Sequence, residues 1–298
     1  MSILQTTNPR KGAIIALLLT AILWSTGGLA FRLLSISNGL AISGYRSFFA
    51  ALFFIAVFKK LPKMENTRWF KIGILAHCGA TTLFVIANTM TTAANAVILQ
   101  YTAPIFVCIY LFFITKKPLP RRDIIAAVLI FSGICVFLVD SVTLQANPTM
   151  TFGNIVAVTS GASFGLQAVL LRLTAVPRNV FIFGSGLNLI LALPFIFQNP
   201  VTSLFDLGIL IYLGTIQVGF AYLLLSFAVP KVTPLELILI PALEPILSPV
   251  WVFIFDGQTP SLLSIFGGIF IIATIIIWSL KKGKVKKEDE EIEKHGTD

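Results

Sequence analysis

Two ionisable side chains lie deep inside long apolar stretches of the sequence, where a charged group is costly. Glu244 lies near the middle of one stretch, and His77 lies partway into another, beside Cys78. A carboxyl group can bind a proton or hold a substrate ammonium group, and an unperturbed histidine titrates near neutral pH. Both residues are therefore predicted candidates for proton coupling. A buried, hydrogen-bonded role in packing is the alternative for each.

Aromatic and amide side chains occur in several other apolar stretches and form, with Glu244, a predicted substrate-binding set. Aromatic walls with a few hydrogen-bonding groups suit an amphipathic organic solute, and Trp or Tyr can also stack on a cation. Hydrogen bonds that only join neighbouring helices are the alternative for each residue. The predicted binding residues are Trp24, Asn88, Gln100, Tyr101, Gln167, Gln217, Tyr222 and Glu244.

Four prolines inside apolar stretches predict bends in the helices that contain them. Pro104 lies in one stretch, and Pro241, Pro245 and Pro249 share another. A proline removes a backbone donor and frees the carbonyl four residues earlier, which for Pro104 is that of Gln100. In a membrane, such a carbonyl is tolerated only where protein or a water-lined cavity satisfies it. The prolines therefore predict that both stretches border a cavity, with purely structural kinks as the alternative.

Two further charged residues lie in or near the apolar stretches. Arg46 lies within one, where it could pair with a carboxylate, brace the bundle or bind substrate. Glu236 lies within about one helical turn of the end of its stretch, which predicts a position in head-group water or near Lys231. A structural role is the simpler interpretation of both.

The composition indicates the environment that holds these residues. The chain has 298 residues, of which 56% are hydrophobic and 12% charged, and its mean hydropathy is +0.91. A soluble domain has about a quarter charged residues, so a soluble globule, a disordered chain and a disulfide scaffold are excluded. The net charge of +9 does not indicate nucleic acid, because basic excess is typical of the cytoplasmic loops of membrane proteins. No metal or cofactor motif occurs, so none is predicted.

Ten apolar segments are long enough to cross a bilayer, which takes about 20 residues. The predicted spans are 12–34, 38–58, 69–90, 93–115, 123–140, 151–171, 180–197, 207–228, 233–255 and 261–280. Nearly all of the 22 Lys and Arg residues then lie on one side, which predicts cytoplasmic N- and C-termini in the plasma membrane. The predicted divisions are a cytoplasmic segment 1–11, a repeat 12–140, an extracytoplasmic linker 141–150, a repeat 151–280 and a disordered tail 281–298.

The two halves of the sequence resemble each other. Thr92 aligns with Thr233 and Pro104 with Pro245 at one common offset, called the longer repeat offset. Trp24 aligns with Phe164, and Arg32 with Arg172, at an offset shorter by a single position, called the shorter repeat offset. Each unit has five predicted helices, an odd number, so the second copy must enter the membrane from the other side. The prediction is an all-α membrane protein of ten helices in two inverted five-helix repeats, an architecture typical of transporters.

The chain resembles the EamA family of the drug/metabolite transporter superfamily over about residues 12–280. The residues that carry the resemblance are Ala21 and Trp24, Arg46, Leu243-Glu244-Pro245, Phe255-Asp256-Gly257 and Gly267-Gly268. The family usually has Gly-Glu where this chain has Asp256-Gly257. The resemblance implies a central cavity lined by helices 1, 3, 4, 6, 8 and 9, with helices 5 and 10 peripheral. It also implies export or exchange of small metabolites.

The predicted function is secondary active export of small organic metabolites, such as amino acids or amines, by alternating access with proton coupling. Facilitative transport or exchange without protons is the first alternative. An intramembrane enzyme or a channel is disfavoured because no catalytic constellation or filter sequence occurs. The predicted partners are a small-molecule substrate, protons and membrane lipid, and the chain would act as a monomer or homodimer. No ATP-binding motif is present, so a solute or proton gradient would drive transport.

Overall fold

A computed structural model describes residues 9–59, 62–91, 93–116, 119–138, 148–256 and 262–280. These ranges are helices and connecting turns without a β-strand, so the predicted all-α class is confirmed. Each of the ten predicted spans coincides with a helical stretch. Most of the N-terminal segment 1–11 and of the linker 141–150 lies outside the described residues. Gly257 and the predicted tail 281–298 also lie outside them.

The helical stretches are numbered in chain order. The bounds of α4 and α9 are given for their separate pieces. They are α1 (Pro9–Arg32), α2 (Gly39–Phe58), α3 (Arg68–Met90), α4 (Ala93–Gln100 and Ala103–Thr115), α5 (Arg121–Leu138), α6 (Pro148–Leu173), α7 (Pro177–Gln198), α8 (Leu204–Lys231), α9 (Pro234–Leu239, Pro241–Leu243 and Glu244–Asp256) and α10 (Leu262–Leu280). Six helices are long and apolar enough, over the described residues, to cross a membrane: α1, α2, α3, α6, α7 and α8. The chain is therefore a multi-pass membrane protein.

Short polar residues at the helix starts explain several of the boundaries. Asn38 accepts a hydrogen bond from the backbone of Ala41 (3.0 Å) at the start of α2. Thr67 accepts one from Phe70 (3.2 Å) at the start of α3. These side chains satisfy N–H groups that have no partner within the helix. α2 ends at Lys59, whose φ of 52° is the left-handed conformation that commonly closes a helix.

Four helices change their backbone pattern partway along. α1 has a turn at Thr26, and α4 is interrupted at Tyr101 and Thr102. α8 contains a π-helical stretch over Leu213–Phe220, and α9 narrows to a 3₁₀ turn over Pro241–Leu243. Local π and 3₁₀ geometry often marks a functional site or a hinge. All four changes fall in helices that surround the cavity described below.

The helices pack in matched pairs. α1 packs against α8 and α3 against α6, and α2 packs against α7. α5 and α10 pack against one another, and both carry exposed apolar side chains such as Ile125 and Ile269. Apolar side chains that face outward suit contact with lipid rather than water. The opposite faces of these two helices are buried, and the main cluster of buried apolar residues draws side chains from all ten helices.

Polar contacts between helix termini define the two ends of the bundle. At one end, called the basic end, Arg10 at the start of α1 meets Glu236 at the start of α9. Glu65, which precedes α3, also lies at the basic end, bonded to the backbone before α7. At the opposite end, Ser35 after α1 meets Asp206 at the start of α8. These contacts fix the connections on both ends of the bundle.

Candidate functional site

A small cavity lies among the interrupted helices. It encloses about 40 Å³, which is room for a water molecule or two rather than an organic solute. The cavity is therefore contracted, and a larger occupant requires the helices to separate. Its lining comes from seven helices: Trp24, Arg46, Ala80, Thr81, Phe84, Gln100, Phe164, Gln217, Tyr222 and Glu244.

One basic and one acidic side chain line this cavity. Arg46 on α2 and Glu244 on α9 are each only 6% exposed. A guanidinium nitrogen of Arg46 donates to Oε1 of Gln217 (2.7 Å), and the group also lies 5.1 Å from the centre of the Phe31 ring. Within the described part of the chain, Arg46 and Glu244 form no ion pair with each other or with another residue. Each charge is therefore available to a ligand.

Glu244 is held by Tyr101, which lies at the interruption in α4. The Tyr101 hydroxyl is 2.9 Å from Oε2 of Glu244 and 2.8 Å from the carbonyl of Pro241. Pro245 lacks an N–H and cannot donate to that Pro241 carbonyl, which instead accepts the backbone N–H of Glu244 in the 3₁₀ turn. Tyr101 thus gives a second hydrogen bond to a carbonyl that Pro245 cannot serve. Its contacts join the break in α4 to the break in α9.

The predicted prolines differ in their local geometry. Pro104 follows directly on the interruption in α4, at the start of its second piece. Pro241 begins the 3₁₀ turn of α9, and Pro245 lies at the start of the last piece. The helix Glu244–Asp256 runs through Pro249 without interruption. The breaks in α4 and α9 therefore lie next to Pro104 and Pro241.

Aromatic rings from both halves of the chain form one wall of the cavity. The ring centre of Trp24 lies 5.7 Å from that of Phe164 and 5.5 Å from that of Tyr222. Edge and tilted arrangements at these distances are favourable for aromatic pairs. The rings come from α1, α6 and α8, so the wall spans the contact between the two halves.

Gln100 lines the cavity with its side-chain amide, and hydrogen bonds to neighbouring helices hold that amide in place. Its Nε2 donates to the Ser160 hydroxyl (2.9 Å), which in turn donates to the Ala80 carbonyl (2.9 Å). This chain of hydrogen bonds joins α4, α6 and α3. The amide of Gln100 is therefore fixed in place beside the cavity.

Three of the predicted binding residues do not line the cavity. Tyr101 is fully enclosed behind Glu244. Gln167 lies behind Tyr222, where its Oε1 is 3.2 Å from Nδ1 of His77. Asn88 donates to the carbonyl of Phe84 on its own helix (2.8 Å). Tyr101 and Gln167 thus join neighbouring helices around the cavity, whereas Asn88 bonds within α3.

His77 also lies outside the cavity lining. Its ring is fully buried, with its centre 4.8 Å from that of Tyr222 and 5.3 Å from that of Phe181. Its Nε2 has no hydrogen-bond partner among the described residues. The Tyr222 ring stands between His77 and the cavity, so His77 can influence a ligand only through Tyr222.

The lining contains residues that the predicted set omitted. Arg46 was recognised as a charge within a span, but its structural role was preferred. Phe164 is the repeat counterpart of Trp24, so the alignment of the halves was a signal for it. Phe84 and Thr81 also line the cavity, but their residue types do not distinguish them from their neighbours on α3.

The prediction that Glu236 lies in head-group water or near Lys231 is wrong. Glu236 is fully buried, and its Oε1 accepts a hydrogen bond from Arg10 (2.7 Å). Its Oε2 accepts one from the backbone of Thr233 (2.7 Å), which completes a capping box. Lys231 instead lies over the ring of Phe227. Sequence distance favoured Lys231, whereas the packing of α1 beside α9 brings in Arg10.

Comparisons with known proteins agree with this architecture. Residues 11–139 match the model of the EamA-like transporter family. A protein from Archaeoglobus fulgidus, described as an uncharacterized transporter, is 26% identical over 284 residues, which cover 90% of this chain and 97% of the relative. A solved crystal structure has a TM-score of 0.71 at 17% identity, covering 92% of this chain and 100% of that one. At that identity the likeness shows the fold alone.

Proposed function

Because residues 11–139 match the EamA-like transporter family, we propose that this chain belongs to that family and is a secondary active exporter of small organic metabolites. Its substrates are amino acids or related amines, and it works by alternating access around the central cavity. Its ten helices form two inverted repeats, 12–140 and 151–280. Both termini lie in the cytoplasm, so the basic end is the cytoplasmic end of the bundle in the plasma membrane.

Paired contacts support the inverted repeats. The Thr20 hydroxyl is shared between the Ala16 carbonyl of its own helix (2.9 Å) and the Ala221 carbonyl (3.3 Å), and the Ser160 hydroxyl donates to the Ala80 carbonyl (2.9 Å). The shorter repeat offset relates Thr20 to Ser160, and the longer repeat offset relates Ala80 to Ala221. Each half thus donates to the other through equivalent residues. Such an exchange is expected when two copies are related by a two-fold axis.

A second pair of contacts supports opposite orientations of the two repeats in the membrane. The Glu65 carboxylate accepts from the backbone of Ala175 (3.1 Å) and Val176 (2.9 Å) at the basic end. The Asp206 carboxylate accepts from the backbone of Ser35 (3.2 Å) at the opposite end. The longer repeat offset relates Glu65 to Asp206, and the shorter repeat offset relates Ser35 to Ala175. Equivalent contacts at opposite ends favour copies that are inverted rather than parallel.

The single observation that carries the substrate proposal is the pair of charges that line one cavity without pairing. Arg46 presents a guanidinium group suited to a carboxylate, and Glu244 can hold an ammonium group. The rings of Trp24 and Tyr222 add faces on which a cation or an apolar side chain can lie. A zwitterion of amino-acid size uses all these groups, whereas a phosphate ester needs more than one cation.

The geometry at Tyr101 supports Glu244 as the proton-coupling residue. A hydroxyl has one hydrogen, yet the Tyr101 oxygen contacts two acceptors, the Pro241 carbonyl and the Glu244 carboxyl group. Both contacts become normal hydrogen bonds when Glu244 carries a proton and donates it to Tyr101. Release of that proton breaks one of them. Proton binding at Glu244 is therefore coupled to the contact between α4 and α9.

Flux into proteoliposomes tests the proposal. Purified protein is reconstituted, and uptake of labelled amino acids and amines is measured with and without a pH gradient. Glu244→Gln is expected to abolish the stimulation by the gradient, and Arg46→Met to abolish flux of carboxylate-bearing solutes. Asn88→Ala serves as the matched control. The Asn88 side chain is polar and lies within a helix, but it does not line the cavity.

The results separate the proposal from its competitors. Gradient-stimulated flux that both cavity variants eliminate supports a coupled exporter. Equal flux with and without a gradient in the parent protein favours facilitative transport or exchange. Chemical conversion of the solute without net movement indicates an enzyme, and non-saturable flux indicates a channel. Retention of full coupled amino-acid flux in Arg46→Met contradicts the proposed binding mode.

A further inference from the structure

We propose that Arg172 and Arg32 are alternating gate residues at the two ends of the bundle. Arg172 holds the basic end closed on the carbonyl of Val229. When the basic end opens, Arg32 donates a hydrogen bond to the carbonyl of Asn88 and closes the opposite end. This inference rests on the proposed alternating access between inverted repeats.

The first half of the proposal is a contact that the structure contains. Nη1 of Arg172, at the end of α6, donates to the carbonyl of Val229 at the end of α8 (2.6 Å). The two terminal turns, Leu171–Leu173 and Val229–Lys231, pack directly against each other. Carbonyls in the last turn of a helix have no partner within it and carry partial negative charge. A guanidinium group satisfies one such carbonyl and thereby ties α6 to α8 at the basic end.

The repeat supplies an equivalent pair at the opposite end. Arg32 precedes Arg172 by the shorter repeat offset, and Asn88 precedes Val229 by the longer one. The same two offsets relate the paired hydrogen bonds of the two halves. Arg32 lies at the end of α1, and Asn88 lies in the last turn of α3, which ends at Met90. The Asn88 carbonyl therefore has the same local chemistry as that of Val229.

In this structure the second pair is not formed. Arg32 is exposed, and no hydrogen bond or ion pair joins it to another residue in the described ranges. At that end, α1 and α3 approach through the rings of Phe31 and Phe84, whose centres are 6.5 Å apart. One member of the gate pair is engaged and the other is disengaged, as expected for one of two alternating states.

A second lock strengthens closure at the basic end. The ion pair of Arg10 and Glu236 (2.7 Å) ties the start of α1 to the start of α9. The equivalent positions at the opposite end are Met150 and Asn95, neither of which carries a charge. The basic end thus has an ion pair between α1 and α9 for which these two positions of the opposite end supply no charges. The substrate-free protein is therefore expected to rest with its basic end closed.

The test is the accessibility of a reporter cysteine in the cavity. Cys78, Cys108 and Cys135 are replaced by alanine, and the cavity-lining Thr81 is changed to cysteine. Labelling by a membrane-impermeant thiol reagent is measured in right-side-out and inverted vesicles. The ratio of the two rates reports which end is open.

Each gate variant has a defined expected result in this assay. Arg172→Gln is expected to raise labelling from the basic end about tenfold relative to labelling from the opposite end, since a charged hydrogen bond is lost. Arg32→Gln removes the contact of the other state and shifts the ratio the other way, and Arg32→Lys, which keeps a cationic donor, restores it. Lys71→Gln, which removes an exposed charge at the basic end, leaves the ratio unchanged.

The outcomes separate this inference from the proposed function. If the parent reporter is labelled from one end only, even with transported solute present, alternating access itself fails. If the parent alternates but Arg32→Gln labels like the parent, Arg32 is only a membrane-surface anchor and the gate proposal fails. Arg32→Gln disturbs no contact of the present structure, so it tests the proposal even if Arg172→Gln fails to fold.

Discussion

The Tyr101 hydroxyl makes the clearest quantitative prediction, because among the described residues it is the hydrogen-bond partner of the Glu244 carboxyl group and a second donor to the Pro241 carbonyl, beside Glu244 N–H. Tyr101→Phe leaves the ring in place and removes the hydrogen bond to the Pro241 carbonyl and the contact with Glu244. A buried acceptor left without a donor costs about 1–3 kcal/mol. The variant is therefore expected to lower the apparent melting temperature in detergent by several degrees.

A double-mutant cycle separates the two contacts. Tyr101→Phe, Glu244→Gln and the double variant are compared by thermal shift and by flux with a pH gradient. Groups in direct contact usually couple by about 0.5–3 kcal/mol. We expect the double variant to be more stable than the sum of the single losses predicts, because the contact between the two side chains is lost only once.

Tyr110→Phe on the same helix is the matched control, since the hydroxyl of Tyr110 has no hydrogen bond with the described residues. It is expected to leave both stability and coupling unchanged. Strict additivity of Tyr101→Phe and Glu244→Gln would show that the two side chains act independently. That result would refute the link between Glu244 protonation and the contact of α4 with α9.

Two further changes test the packing around the site. Gly184→Ala would place a methyl group 2.5 Å from the His77 ring, so we expect about 1–3 kcal/mol of destabilisation in a thermal-shift assay. Gly186→Ala on the same helix meets nothing within 4 Å and should be neutral; equal effects would contradict the packing of α7. Glu236→Gln removes the partner of Arg10 from a fully buried site and is expected to lower the melting temperature clearly. An unchanged value would mean that the pair does not hold the basic end together.

The helices could be predicted from the sequence because a bilayer demands long apolar segments. Each predicted span coincides with a helical stretch, including α4 and α9, where prolines interrupt the pattern. The interruptions at Thr26 and over Leu213–Phe220 had no comparable signal. No proline lies in either place, and the π-helical stretch packs chiefly against α2, where Gly214 and Gly219 lie close to Phe49 and Phe53.

The site was only partly predictable, because residue type does not fix the direction of a side chain on a helix. Gln100 and Gln217 face the cavity, whereas Gln167 and Asn88 bond to neighbours behind it. All four are amides within apolar helices, and the sequence offers no means of separating them. The partner of Glu236 was missed for a related reason, since Arg10 lies far away at the other end of the sequence.

The burial of Arg46 argues for a ligand more strongly than any feature of the fold. Its guanidinium group is 6% exposed, lies over the Phe31 ring and, within the described ranges, forms its hydrogen bond with the neutral Gln217. Desolvating such a charge costs several kcal/mol, and an apolar residue of similar size would pack the same space without that cost. Glu244 lines the same cavity and attracts Arg46, but no ion pair joins them among the described residues, so this attraction offsets only part of the cost of burial. The remaining cost of burying both groups destabilises the empty protein, and a zwitterion that bridges them would lower that cost on binding.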